Sequence, residues 1–508
     1  SHGQNGKVLI SQPALWTENE GGFQTWGGAP PPGSEPYFWG RSMADQAGSV
    51  MLWFALGGSH MDYYMWTGGN NYGRWTGDGI THMYAVDAIV CPDGLQHEPK
   101  FSHTQAMHNA IAAAAGDIVS LPAQLNKGVP LDNRAFTAYV YNTVAFIVNS
   151  KWKSATTATT VTYNHKSYAV MGIALVNTNT GLVLFDSAAV TSASQKAPRR
   201  VVKKVSSPLT MWKYWPEPIT SSSVPTGVYP SNATFLSPTP MEMTNITSAL
   251  TTFAYYETTI NMASLMNSSS SNTLSIPTHN GQAFVAFVDG KQVGDAEDHS
   301  HGSGGAKTLT IDLSNAVGSA GDTTLTLLAE ELGYANYGFM VPLYKGIHSS
   351  TGALPTLRGA PLKSSWKMRS GLTGEHLQVF TPAGAAKVSW TPTSSSLATG
   401  GIWYTTTFVT PSSVNDNKDG DQLLLQTLSS GLGRGRFWVN GHEVGRYWTK
   451  ERNDASSCPD SVKSCATQQY YHIPVSKFCH MTAHRYRFCY QQAEIFVSIL
   501  STLVFLKS

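Results

Sequence analysis

Glu18 stands where an apolar run, Val8 to Trp16, breaks off in the order Trp16-Thr17-Glu18-Asn19-Glu20. Further along, a second apolar and aromatic run from Met61 to Trp66 opens into Thr67-Gly68-Gly69-Asn70-Asn71-Tyr72-Gly73. Strands that finish in a carboxylate or an aromatic and then turn into a loop are how a (β/α) barrel presents catalytic groups at its C-terminal face. A carboxylate in that position can act as a nucleophile or as an acid and base. Trp16, Trp66 and Trp75 offer an apolar platform for a ring-shaped ligand, since pockets combine apolar walls with a few fixed polar groups. The plainer alternative for each is core packing. Glu20 lies about 6.6 Å from Glu18 along an extended backbone, so its direction depends on how the strand ends.

The elements that position these residues follow from periodicity. Ser42 to Leu56 carries Met43, Ala47, Val50, Met51 and Phe54 at helical spacing. Phe101 to Val119 puts Met107, Ala110, Ile111, Ala114 and Ile118 on one face of a second helix. Residues 1–120 therefore alternate strand and helix as two β/α units. Two such units cannot close a barrel, because inward side chains and two strand edges would stay uncovered.

The two opening motifs resemble glycoside hydrolase family 35, the β-galactosidases. There W-T-E-x-W-T-G-W carries the nucleophile and N-Y-Y-M-Y-H-G-G-T-N-F-G forms the next strand and loop. The resemblance continues through Asp87-Ala88 and Asp93-Gly94-Leu95 to Pro99-Lys100. It implies Glu18 as nucleophile and Tyr64 as a sugar contact, with Trp16 and Trp66 as further substrate contacts. It also implies that the two units are the seventh and eighth of a (β/α)8 barrel, and that the acid/base belongs to a fourth strand preceding this chain. An abrupt start and an unfamiliar tail from Phe478 to Ser508 favour a truncated or mis-spliced product. Two departures bear on substrate contacts: Glu20 replaces a tryptophan, and Val86 replaces a tyrosine.

From about residue 121 the helical period gives way to short β-branched and aromatic runs separated by Gly, Pro and Ser clusters, the pattern of sandwiches. Phe284 to Gly294 and Gly435 to Trp448 each read as a strand, an Asp-Gly or Asn-Gly turn and a return strand. Both resemble jelly-roll modules of the same family, as do Tyr334 to Gly338 and Tyr470 to Pro474. The expected fold is α/β plus all-β: a barrel remnant over 1–120, a β-sandwich over 121–235, a jelly roll over 236–360 and a second over 361–508.

Composition narrows the partners. Net charge is +2 over 508 residues, which gives no case for nucleic acid or an anionic membrane. Charged residues make up 13%, below the average of about 25%; Ser, Thr, Gly and aromatics fill the difference, as in secreted glycoproteins. The basic stretch Lys196 to Lys204 is interrupted by valines and reads as a strand face. Glycosylation sequons at Asn232, Asn245 and Asn267, with five cysteines, favour an oxidising compartment. Cys458 and Cys465 flank a short loop and form either a disulfide or a free pair; Cys91 reads as a buried thiol. Histidines and cysteines show no metal-ligand spacing, so neither metal nor cofactor is expected. The first residues do not read as a signal peptide, having neither a basic n-region nor a small-residue cleavage site, and Ala493 to Leu506 is too short to span a bilayer comfortably, reading as a buried strand or an anomalous tail.

The resemblance thus implies a retaining exo-β-galactosidase acting by double displacement on terminal β-D-galactosyl residues of glycans or polysaccharides, with this chain impaired for want of its acid/base. Secretion to a cell-wall-like space, or a lysosomal or vacuolar address, accompanies that reading; oligomeric state stays open. The other reading is a non-catalytic carbohydrate-binding or scaffold protein derived from the same family.

Overall fold

A computed structural model describes residues 13–21, 41–77, 80–85, 88–92, 94–120, 128–189, 212–261, 272–279, 281–298, 306–314, 316, 321–334, 344–349, 351–393, 401–409, 423–426, 434–448, 468, 470–474, 479–481, 487–489 and 492–499. Cys458, Cys465, Asn267, Asp87 and the run Lys196 to Lys204 lie outside the described residues. The described part is mostly strand with few helices and contains no closed barrel.

Strand β1 (Leu15–Glu20) pairs in parallel with β2 (His60–Tyr64). Between them runs helix α1 (Met43–Ala55), and α2 (Lys100–Ala113) follows. Ser42 caps α1 by accepting a hydrogen bond from the Asp45 amide at 3.1 Å, satisfying one orphan donor of the first turn. The helix stops at Gly57, whose φ of 91° suits the left-handed exit a glycine allows. Ala47, Val50, Met51 and Ala55 form the buried stripe of α1 and meet Met107, Ile111 and Ala114. The same cluster takes in Tyr141, Phe146, Trp152, Ile173 and Leu175 from the adjoining sheet, so the helices lie between the β1–β2 pair and that sheet. Gly48 is required at the contact: a Cβ there would sit 2.3 Å from the Trp152 ring.

That adjoining sheet is antiparallel, with Val129–Pro130, Phe136–Tyr141, Val144–Asn149, Ile173–Asn177 and Val183–Asp186 in spatial order. A hairpin of Thr159–Tyr163 and Lys166–Val170 closes over it.

The next module faces a six-stranded sheet against a four-stranded one. The larger runs Thr234–Ser237, Trp366–Ser370, Phe253–Asn261, Asp322–Glu331, Gln282–Val288 and Lys291–Asp298. Leu274, Ile276 and Ile311 of the smaller sheet pack on Tyr256, Phe284, Leu327, Trp366 and Met368 of the larger. Burying each such side chain contributes about 1.5–3 kcal/mol.

The last module has a six-stranded sheet in the order Thr391–Pro392, Lys213–Pro216, Ile402–Val409, Gln492–Ile499, Arg434–Val439 and His442–Trp448. Its second strand, Lys213–Pro216, comes from before the preceding module in sequence. The apolar C-terminal stretch supplies a central strand, Gln492–Ile499, bonded on both sides. The two turns expected at Asp289-Gly290 and Asn440-Gly441 are present, with positive φ at both residues of each (49° and 77°, 50° and 81°), the geometry that matches strand twist in two-residue hairpins.

The two modules share an apolar seam built from Phe253, Tyr255, Leu328, Trp403 and Trp438. Beside it Arg434 donates to Glu330 and Glu297 at 2.6 Å each, and Arg446 donates to the Leu332 and Glu331 carbonyls at 2.9 Å. Such a buried ionic group is weak evidence of added stability, because desolvation of the charges offsets much of their attraction. Among the described residues no helix is long and apolar enough to cross a membrane.

Candidate active site

The register of β1 on β2 decides which way Glu18 points. Trp16 lies opposite Met61 and Asn19 opposite Tyr63, so two residues, Thr17 and Glu18, face the single Asp62. This is a β-bulge, which re-aims side chains at a strand end. Trp16 stacks at 5.6 Å on Trp53 of α1, and Asn19 accepts from Arg41 at 2.7 Å just before α1. Both therefore face the helix layer. Met61 and Tyr63 pack on the helical core as well. Side chains alternate across a strand, so Asp62 and Tyr64 share the other face of the sheet; the bulge lies between Trp16 and Asn19 and contains Thr17 and Glu18. Glu18 is exposed there.

Tyr64 is held from below. Its hydroxyl lies 3.1 Å from the Tyr84 hydroxyl, and Tyr84 donates to Met65 Sδ at 2.8 Å. Burial, and then the bond with Tyr64, push the Tyr84 phenol well above its ordinary range. On the opposite face Tyr63 meets His108 Nε2 at 2.6 Å. Burial lowers His108 and raises Tyr63, so a neutral imidazole accepts from a neutral phenol.

The back of β1 is braced by one guanidinium. Arg41 reaches Asn19, pairs with Asp45 at 2.6 Å and donates to Ser49 at 2.8 Å. These contacts hold the strand end in place without touching the exposed face.

Of the residues singled out in the sequence, Tyr64 lies on the sheet face away from the helices and Glu18 is exposed in the bulge of the neighbouring strand, while Trp16 faces the helices with Trp53. Trp66 follows β2, is 43% exposed and packs on Tyr63 at 5.4 Å and Phe101 at 6.2 Å. The side chain of Glu20 is not among those described; its backbone pairs with Tyr64. Sequence reasoning gave no role to Tyr84 or Asp62. Asp62 was findable from alternation alone, two residues before Tyr64; it accepts from or pairs with His60 Nε2 at 3.1 Å. Tyr84 sits in an irregular segment with no period to betray it.

The loop after β2 is anchored on the last module. Gly68 donates to Val90 O at 2.8 Å, Gly73 to Val444 O at 3.2 Å, and Tyr72 meets His472 Nδ1 at 3.1 Å. His82 is buried under this loop between the Tyr72 and Tyr471 rings. Burial above all, with His472 and Arg436 adding, holds its pKa down at about 3, so it is a neutral packing group. No group of three or more His, Cys, Asp or Glu that could hold a metal occurs among the described residues.

Comparison with known proteins agrees with the motifs. Residues 2–111 match Glycosyl hydrolases family 35, and residues 401–481 match the Beta-galactosidase, galactose-binding domain family. The resemblance read from Glu18 and Tyr64 is thus borne out at the level of the family. Among curated proteins, "Beta-galactosidase 8" of Arabidopsis thaliana is 28% identical over 497 residues, covering 92% of this chain and 54% of that protein. "Beta-galactosidase 6" of Oryza sativa subsp. japonica is 28% identical over 512 residues, again covering 92% and 54%. The chain thus spans about half the length of these relatives. Among solved structures, a rhamnosidase from Novosphingobium sp. PP1Y aligns with a TM-score of 0.14 at 12% identity, over 51% of this chain and 26% of that one, a score too low to argue from.

Proposed function

We propose that the protein is a glycoside hydrolase of the β-galactosidase type whose exposed β1–β2 face receives a terminal β-galactosyl residue. The observation that supports this reading is the bulge at Thr17 and Glu18, which leaves Glu18 exposed on the strand beside Tyr64. In a retaining reaction the Glu18 carboxylate attacks the anomeric carbon as the bond to the leaving oxygen breaks, and water then hydrolyses the glycosyl ester. Tyr64 presents its hydroxyl to the sugar. Trp66 contributes an apolar wall, and Trp16 contributes through its packing behind the strand.

The leaving oxygen also needs a proton, and general acid help is worth about 10²–10⁴-fold. Among the described residues none is assigned that role; Asp62 shares the face but is engaged by His60. The chain is therefore expected to turn over alkyl galactosides poorly and activated aryl galactosides better. The division into barrel remnant, sandwich and two jelly rolls, glycosylation at the exposed Asn232 and Asn245, and a secreted or vacuolar address belong to the same proposal.

The test is labelling by an activated aryl 2-deoxy-2-fluoro-β-galactoside, followed by peptide mass spectrometry. An adduct on Glu18, absent in Glu18→Gln, is expected. An adduct on another carboxylate overturns the nucleophile assignment, and rapid alkyl-galactoside hydrolysis shows that an acid is in place. A second reading, a non-catalytic carbohydrate-binding scaffold, is favoured by the β1–β2 sheet having two strands among the described residues. Sugar binding without any adduct would select it.

A further inference from the structure

Trp75 follows the anchored loop and is 75% exposed. An indole so open to water loses the burial that ordinarily holds tryptophan in a fold. Its surroundings are nevertheless fixed. Gly73, two residues earlier, is hydrogen-bonded to Val444, and Thr76, one residue later, is buried at 3% exposure. The ring is thus held out from a rigid base.

One side of the ring is already occupied. The Arg74 guanidinium stands over it, 4.9 Å from the centroid, which leaves the opposite side and the edge open. Arg74 makes no hydrogen bond to a described residue, so its N–H donors face solvent beside the indole. It also acts on the Tyr334 phenol, which places it near the end of the strand Asp322–Glu331. An acceptor is close as well. The point that a Cβ on Gly73 would occupy lies 3.8 Å from Glu443 Oε2 and 3.9 Å from Trp75 Cδ1. Glu443 is 27% exposed, and its other oxygen accepts from buried Arg436. An apolar plate, a forked donor and a fixed acceptor therefore meet where the loop crosses the last module.

That combination suits a pyranose ring. Galactose has an axial 4-hydroxyl, which leaves one face lined by C–H groups for an aromatic plate, while neighbouring hydroxyls can bond a guanidinium fork and a carboxylate. We propose that Trp75, Arg74 and Glu443 form a subsite for a further galactose unit of a β-linked galacto-oligosaccharide. The choice of galactose rests on the proposed function; the subsite itself rests on the geometry.

The experiment is calorimetric titration of the 508-residue protein with a β-linked galactotetraose and, separately, methyl β-galactoside. Tetraose is expected to bind tighter than the monosaccharide. Trp75→Ala should weaken tetraose binding about tenfold, which is about 1.4 kcal/mol; Trp75→Phe should recover part of it and Arg74→Gln should also weaken it. Leu250→Ala, at a similarly exposed apolar side chain (78%), should keep wild-type affinity. Equal affinity of wild type and Trp75→Ala for tetraose, or no tetraose binding by the wild type, overturns the subsite. Trp75-dependent binding without a Glu18 adduct in the wild type would sink the hydrolytic reading and leave the subsite standing.

Discussion

The Tyr64 and Tyr84 hydroxyls stand 3.1 Å apart, and the Tyr84 hydroxyl lies 2.8 Å from Met65 Sδ as a hydrogen-bond donor. Glu18 stands exposed in a bulge on the neighbouring strand, and the phenol pair is proposed to sit beneath the sugar.

Tyr64→Phe removes that hydroxyl while keeping the ring. A neutral hydrogen bond at a partly exposed site is worth about 0.5–1.5 kcal/mol, so the denaturation midpoint should barely move. Labelling of Glu18 should slow by about tenfold if the hydroxyl contacts the sugar, at about 1.4 kcal/mol per factor of ten. Unchanged labelling kinetics would remove Tyr64 from the site.

Glu217 joins segments that lie far apart in the chain. Its carboxylate accepts from the Thr373 and Gly374 amides at 2.5 and 3.0 Å, from Trp403 Nε1 at 2.8 Å and from the Tyr255 hydroxyl at 3.2 Å. Glu217→Ala strands several buried donors and should cost at least about 3 kcal/mol, read as a lower urea midpoint. Glu217→Gln, which retains an acceptor oxygen, should cost less. Equal losses for both would mean that the charge, not the acceptor count, matters.

Glu375 makes stability depend on pH in its own direction. Burial raises its pKa to about 7, with Glu443 adding to the rise, against hydrogen bonds from the Leu372 amide and Thr251 and the attraction of Arg436. The folded value exceeds the unfolded one of 4.5, so the fold retains a proton that the unfolded chain gives up between those values. Stability from this group is therefore highest in acid and falls between about pH 4.5 and 7, by about 3 kcal/mol at about 1.4 kcal/mol per unit. Glu375→Gln should flatten the loss across that window, measured as urea midpoints at pH 5 and 8. A wild-type-like slope in the variant would contradict the burial argument.

His82 acts with the opposite sign. Its folded pKa of about 3 lies below the unfolded 6.5, so its contribution is intact above pH 6.5 and is lost as pH falls towards 3. The groups facing it are His472, Arg436, Tyr72 and Tyr471, none of them a carboxylate to hold an imidazolium. Gly445 approaches so closely that a Cβ there would lie 2.9 Å from Nδ1. His82→Phe should lower the acid sensitivity of the fold by a few kcal/mol between pH 7 and 4.5. If wild type and variant lose stability equally over that range, His82 is not the titrating group.

Local features were legible in the residues alone. The apolar spacing of Ala47, Val50, Met51 and Ala55 marked α1, and Asp289-Gly290 and Asn440-Gly441 marked their hairpins, because backbone preference and burial period are set by near neighbours. The Trp16-Thr17-Glu18 and Tyr63-Tyr64-Met65 motifs carried the family for the same reason. Partner choice was decided only by the tertiary structure. Nothing near Lys213–Pro216 says that it pairs with Ile402–Val409, nor that Gln492–Ile499 lies between that strand and Arg434–Val439. The bulge that contains Glu18 is a property of two strands in register, and the proximity of Tyr84 to Tyr64 depends on a loop without period. Hydrogen-bond ladders and buried seams are satisfied by groups hundreds of residues apart, so their solution exists only once the whole chain has packed.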